Sequence, residues 1–140
     1  MGINYKRVYL GGIVGGVVWN IWSTLVNIKI GMARYTAAQN AGLFLKQPRY
    51  PAFYVQWVVM LFIMAILVAH AYAWVRPRLG AGPRTALKVG MVIGFFAGFP
   101  TNFGTATWAP IDRIFPLGWM LEMWIGAILA ALVAGALYKE

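Results

Sequence analysis

Four long apolar runs, separated by short stretches that hold nearly all the charge, constrain this chain more than any other feature. They cover residues 8–28, 53–75, 85–107 and 117–138. Each is about 21 to 23 residues long, and about 20 apolar residues suffice to carry a helix across a ~30 Å hydrocarbon core with some tilt. The expected fold is therefore all-α and integral to a membrane: a bundle of four transmembrane helices in a single domain, residues 1–140. Composition agrees, with 61% hydrophobic and 11% charged residues, where a soluble domain carries about 25% charged. A soluble helical bundle would have to hide too much Trp, Phe, Leu and Val. There is no convincing internal repeat. The first run is too long for a cleavable signal peptide and lacks a small-residue cleavage pattern.

The connections differ in character. Residues 29–52 form the longest, in which 33–45 reads either as a short interfacial helix, with Tyr35, Leu43 and Phe44 toward the acyl chains, or as an irregular surface loop. Residues 76–84, "RPRLGAGPR", read as a tight basic turn. Pro77 is expected to stop the second helix, Gly80 and Gly82 to permit the reversal, and Pro83 to open the third. Residues 108–116, "WAPIDRIFP", hold two prolines and a charged pair.

The net charge of +9 is spread over loops and ends, so it reads as topology and lipid-phosphate contact and not as a nucleic-acid footprint. One side of the expected membrane carries Lys6, Arg7, Arg76, Arg78, Arg84, Lys88 and Lys139. The other carries Lys29, Arg34, Lys46, Arg49 and Arg113, so seven of the twelve cations face five. This bias favours both termini in the cytoplasm of a bacterial inner membrane. Lys6, Arg7, Arg76, Arg78, Arg84 and Lys88 are the expected contacts to anionic headgroups. Arg84 and Lys88 oppose the dipole at a helix N-terminus, which calls for an anionic lipid outside the helix. Trp57, Trp108, Trp119, Tyr50 and Tyr54 near the opposite ends suit an aromatic belt.

Lipid tails are as apolar as Leu, so helices in a membrane meet where small residues allow close approach. Gly12 and Gly16 with Gly11 and Gly15 in the first span, Gly90, Gly94 and Gly98 in the third, and Gly126, Ala130 and Ala134 in the fourth are the expected packing stripes. Ala65, Ala69 and Ala73 offer the same in the second. The pattern does not separate contact within one chain from contact between chains.

Polar residues are rare inside the runs, and most fall in one half of the bilayer. Asn20, Ser23, Thr24 and Asn27 sit at helical offsets of 0, 3, 4 and 7. The third span adds Thr101, Asn102, Thr105 and Thr107, and the second begins with Gln56. The fourth adds Glu122, about one and a half turns in, or roughly 8 Å along the axis. Glu122 is the sole acid within a run. A charge at mid-helix costs on the order of 2.5–3.5 kcal/mol on insertion scales, so it should turn inward, with Asn20, Ser23, Thr24, Asn27 and Asn102 as candidate partners. Two readings stand: interhelical hydrogen bonding, at ~0.6 kcal/mol per contact, and a small-molecule or proton site.

With no cysteine, one histidine and three acids, disulfides, thiol catalysis and Cys-ligated clusters are excluded, and an all-protein metal site is not expected. The stretch "AHAYAWVRPRL", beginning at Ala69, resembles the C-terminal part of a light-harvesting beta polypeptide, in which the histidine ligates bacteriochlorophyll. The resemblance implies His70 as an axial ligand of a chlorophyll or haem. It spans about eleven residues, the Arg-Pro pair is one position closer to the histidine, and the four-span architecture differs. A histidine bonded to a carbonyl or water near the headgroups is the plainer reading, and no cofactor is the expectation.

A wider resemblance rests on "RVYLGG" from Arg7 to Gly12, the turn from Tyr72 to Ala86, Glu122 early in the last run, and the ending "GALYKE". These are similar to a group of small four-span bacterial inner-membrane proteins with a YAxxRPRxGxGPxTA turn. The resemblance covers about two thirds of the chain, least in the 29–52 connection. It implies fold and membrane location and no activity. No nucleophile–base pair, phosphate loop or cofactor fingerprint is present. The expected role is therefore a non-enzymatic accessory or structural subunit, in a homo-oligomer or a larger membrane complex.

Overall fold

The computed structural model describes residues 2–139 and is all-α. Its elements are α1 (Tyr5–Ile30), α2 (Met32–Asn40), α3 (Phe53–Leu79), α4 (Pro83–Trp108) and α5 (Ile114–Leu137). α1, α3, α4 and α5 are each long and apolar enough to cross a membrane. α1, α4 and α5 begin two or three residues before their apolar runs, and α3 ends four residues past its own.

α1 opens at Asn4, whose side chain accepts the Arg7 N–H at 3.3 Å and so satisfies one free donor of the first turn. It ends at Gly31, where φ is 91°, a region that L side chains rarely adopt. That single residue turns the chain into α2, which is shorter than the 33–45 alternative. Gly42, at φ 74°, lies just past the end of α2, and the N–H groups of Leu43 and Phe44 fold back onto the Ala38 carbonyl. α3 does not stop before Pro77. It runs two residues beyond, because a proline in the last turn leaves only one carbonyl without its helical donor. Pro116, expected in a loop, lies in the first turn of α5, where its missing N–H would have no helical acceptor anyway. Tyr138 falls just outside α5 with extended backbone.

The four spans run alternately up and down, and each packs on its neighbours in sequence. α5 also closes on α1 and crosses the middle to α3, whereas α1 and α4 are not close neighbours. The core is therefore built on α5, with Ala127, Ala130, Ala131 and Ala134 all buried along it. Glycines set how closely the others approach. A Cβ on Gly11 or Gly15 would press on Ala134 or Ala130 of α5, while one on Gly12 would stand 2.7 Å from the Ile66 Cα of α3, and one on Gly16 would strike the Phe62 ring. The double pair thus serves two helices at once. Gly90, Gly94 and Gly98 form a single stripe whose added Cβ atoms would lie 2.6 Å from Ile128 Cα, 2.7 Å from the Trp124 carbonyl and 2.8 Å from the Met120 carbonyl.

At the end carrying the termini, the Tyr138 hydroxyl accepts the Asn4 N–H at 3.1 Å, and Asn4 donates to the Lys139 carbonyl at 3.1 Å. The Arg76 guanidinium lies 5.0 Å from the centre of the Tyr138 ring. Tyr72, buried beside it, accepts the Gly82 N–H at 3.1 Å and so pins the α3–α4 turn.

Backbone atoms face Gly94, so they cannot move aside as a side chain can. Gly94→Val is expected to destabilise the bundle by about 1–3 kcal/mol or more through overpacking. Gly104→Ala, with open space at its Cβ position, should lose nothing. Equilibrium unfolding in detergent, followed by circular dichroism, reads both.

Candidate functional site

Glu122 sits on the α5 face that meets α1 and α3, and it is 2% exposed. Its Oε1 accepts hydrogen bonds from the Ser23 hydroxyl of α1 and, at 3.1 Å, from the Trp57 indole N–H of α3. Its Oε2 accepts from Asn27 Nδ2 at 3.4 Å. Three helices thus converge on one carboxyl group, and every partner is a neutral donor. Ser23 and Asn27 are one helical turn apart, so both reach the same group from one face. Asn27 Nδ2 is also shared with the Ser23 carbonyl at 2.9 Å.

The network continues outward. Asn27 Oδ1 accepts the Tyr35 hydroxyl of α2 at 2.7 Å, and the Tyr35 oxygen accepts the Trp119 indole N–H of α5 at 3.2 Å. All these bonds point the same way, from Trp119 through Tyr35 and Asn27 to Glu122, so each polarises the next. Tyr35 and Phe44, expected toward the acyl chains, instead pack inward on Phe115 and Trp119. Burial pushes the Tyr35 hydroxyl above its ordinary value of 10.0; the Trp119 bond opposes that shift and the Glu122 carboxyl adds to it.

Two tryptophans tie the backbone. The Trp19 indole, fully buried, lies on Gly126 and donates to the Glu122 carbonyl at 3.1 Å. Trp22 donates to the Leu121 carbonyl at 3.1 Å. Any Cβ at Gly126 would strike the Trp19 ring. Gly126 is therefore a seat for an indole, while Ala130 and Ala134 are the α5 contacts for the backbone of α1.

The remaining polar residues lie apart from this site. Asn20 donates to its own helix at Gly16, 2.9 Å away, and reaches the Val58 carbonyl at 3.5 Å. Thr24 is exposed and bonds the Asn20 carbonyl at 2.9 Å. Gln56 is exposed. On α4, Asn102 donates to Gly98 at 2.7 Å, Thr105 to Thr101 at 2.9 Å and Thr107 to Phe103 at 2.8 Å, while Thr101 is exposed. The expectation that Asn20, Thr24 and Asn102 partner Glu122 is corrected. Asn20 and Thr24 occupy the far edge of their stripe, and α4 lies across α5 from α1. Trp57, Tyr35 and Trp119, which sequence position alone assigns to a belt or to the acyl chains, belong to the site instead. The signal that separates them is an indole or phenol within reach of a lone intramembrane acid.

His70 lies at the other end of the bundle. Its Nδ1 is 2.8 Å from the Ile66 carbonyl, an acceptor only, so Nδ1 is the donor of that bond. The rings of Tyr9, Trp74 and Tyr5 surround it at 5.4, 6.1 and 6.2 Å between centres. Lys6, Arg78, Arg84 and Lys88 are exposed at that same end, and Arg7 and Arg76 are half-buried there. Among the described residues, no group of three His, Cys, Asp or Glu is placed to hold a metal.

Removing one donor to Glu122 should cost roughly 0.6 kcal/mol, and up to about 1.7. Trp57→Phe and Ser23→Ala should each show that loss in detergent unfolding. Glu122→Leu should lose more than Glu122→Gln, because it takes the acceptor away from the Ser23 hydroxyl and the Trp57 indole at once. For Tyr35, the raised value means that its neutral form is favoured by folding. That contribution is full below about pH 10, the unfolded value, and is lost as pH rises through the elevated folded value. Ultraviolet difference titration should find one late-ionising tyrosine in the wild type that is missing from Tyr35→Phe.

Compared with protein-family models, curated proteins and solved structures, the chain gives no match.

Proposed function

We propose that this chain is an accessory or structural subunit of a membrane assembly, either a homo-oligomer or a larger complex, with no catalytic machinery of its own. One observation carries the reading. The acid within the spans, the group most apt for chemistry, is sealed from solvent and its carboxyl oxygens are taken by Ser23, Trp57 and Asn27. A site that handles substrate needs an open position, whereas a tie between helices needs saturation. Large apolar side chains cover the outer faces of the spans, Phe96, Phe103 and Leu67 among them, and these are available to lipid or to neighbouring subunits. The same reading sets the protein in a bacterial inner membrane with its termini in the cytoplasm, supported by the Lys/Arg bias between the two ends.

A second reading, a proton or small-molecule binder, is favoured by the absence of any cation among the hydrogen-bond partners of Glu122. Among the described residues the carboxyl is held by neutral donors alone, so a ligand that displaced one of them would break no ion pair. A pigment or haem on His70 is a third reading. With Nδ1 engaged by the Ile66 carbonyl, Nε2 is the ring atom that would serve as axial ligand, and Tyr5, Tyr9 or Trp74 would have to swing aside to admit a macrocycle.

Native mass spectrometry of the protein extracted in mild detergent separates them. The accessory reading predicts stoichiometric copies or neighbours and no visible absorbance. A monomer that binds a small ligand lost in Glu122→Gln would replace it with the second reading, and a coloured preparation bleached by His70→Ala with the third.

A further inference from the structure

Between the last turns of α1 and the first turns of α5 lies a cavity of about 390 Å³. Its walls are two helical stripes: Trp22, Leu25, Val26, Lys29 and Ile30 on α1, at offsets of 0, 3, 4, 7 and 8, facing Ile114, Leu117, Gly118 and Leu121 on α5. The α1 stripe makes the slot about 12 Å long, and the volume lies within the usual range for small-molecule sites, ~300–1,000 Å³. At the inner end Trp22 donates to the Leu121 carbonyl at 3.1 Å. The outer end carries Lys29, the one charged residue among those that line it. Arg113, exposed, directly precedes the α5 wall. The acid in that loop, Asp112, is engaged by the N–H of Ile114 at 2.9 Å.

We propose that this slot is a binding site for an anionic glycerophospholipid, one acyl chain lying against Leu25 and Leu117 and the phosphate meeting Lys29. Charge and direction argue for that occupant. The slot is apolar toward the middle of the bundle and cationic toward its end, the polarity of a phospholipid in the adjacent leaflet. Lys29 is exposed, so its stem can cover apolar surface while its ammonium reaches the headgroup level. The site lies at the end opposite Lys6, Arg78 and Arg84, and so is separate from the basic surface there. The inference does not rest on the accessory-subunit reading, only on the spans lying in a bilayer.

The test is native mass spectrometry of the full chain released from phosphatidylcholine vesicles that contain a minor share of phosphatidylglycerol. The wild type should retain phosphatidylglycerol in preference to phosphatidylcholine. A lysine near a charged surface contributes about 1 kcal/mol, or roughly fivefold, so Lys29→Gln should lose about that preference and Lys29→Arg should keep it. Leu25→Trp, which fills the slot, should abolish retention, with circular dichroism checking that the helices persist. Equal retention of the two lipids by the wild type would overturn the proposal. So would retention unchanged in Leu25→Trp, or a lipid-free dimer that Leu25→Trp dissociates, which would make the slot a subunit interface.

Discussion

A carboxyl group inside a membrane-spanning bundle dictates its own surroundings. Hydrocarbon offers it nothing, and the cost of leaving it bare is several kcal/mol. Glu122 is accommodated because α1 delivers Ser23 and Asn27, and α3 delivers Trp57, to one point on α5. That requirement fixes more than a side chain. It sets the rotation of α1, the register of α3 against α5, and the position of α2, whose Tyr35 completes the Asn27 amide. Non-directional apolar packing would leave those rotations loosely specified; directed donors do not.

Close packing makes the convergence geometrically feasible. Trp19 reaches the Glu122 carbonyl only because Gly126 has no side chain beneath its ring. α1 approaches α3 and α5 together because its glycines come in adjacent pairs, one of each pair for each neighbour. α4 is attached differently. Its glycine stripe lies on α5 backbone, and Asn102, Thr105 and Thr107 bond within their own helix, while Thr85 at its start donates to the Leu79 carbonyl of α3. The bundle is thus a trio of α1, α3 and α5 joined at one carboxyl group, to which α4 is added by close contact and by the Trp124 indole donating to its Met91 carbonyl at 3.2 Å.

Much of this is written in local sequence. Four runs of spanning length define the four long helices, and an acid sharing a face with Gly126, Ala130 and Ala134 has one sensible direction to point. The partners of that acid are less legible. A four-residue polar stripe about 100° wide straddles two interfaces, and helical periodicity alone does not say that Ser23 and Asn27 face α5 while Asn20 and Thr24 turn elsewhere. That division depends on which helix stands beside which, a fact no single run contains. Tryptophan and tyrosine near span ends carry a further ambiguity. The same indole serves an interfacial belt or a buried carboxylate, and only the tertiary arrangement decides for Trp57, Trp119 and Tyr35. Pro77 and Pro116 do not mark helix ends, because proline disfavours helix interiors but is tolerated in terminal turns.

The claim that Glu122 is the tie joining α1, α3 and α5 is tested most directly by a double-mutant cycle between Trp57 and Glu122, using Trp57→Phe and Glu122→Leu, singly and together, with unfolding free energies measured in detergent. A genuine hydrogen bond predicts that the double variant loses less than the sum of the single ones, with a coupling of roughly 0.6–1.7 kcal/mol. Losses that simply add would mean that the two side chains do not interact, and would contradict the account.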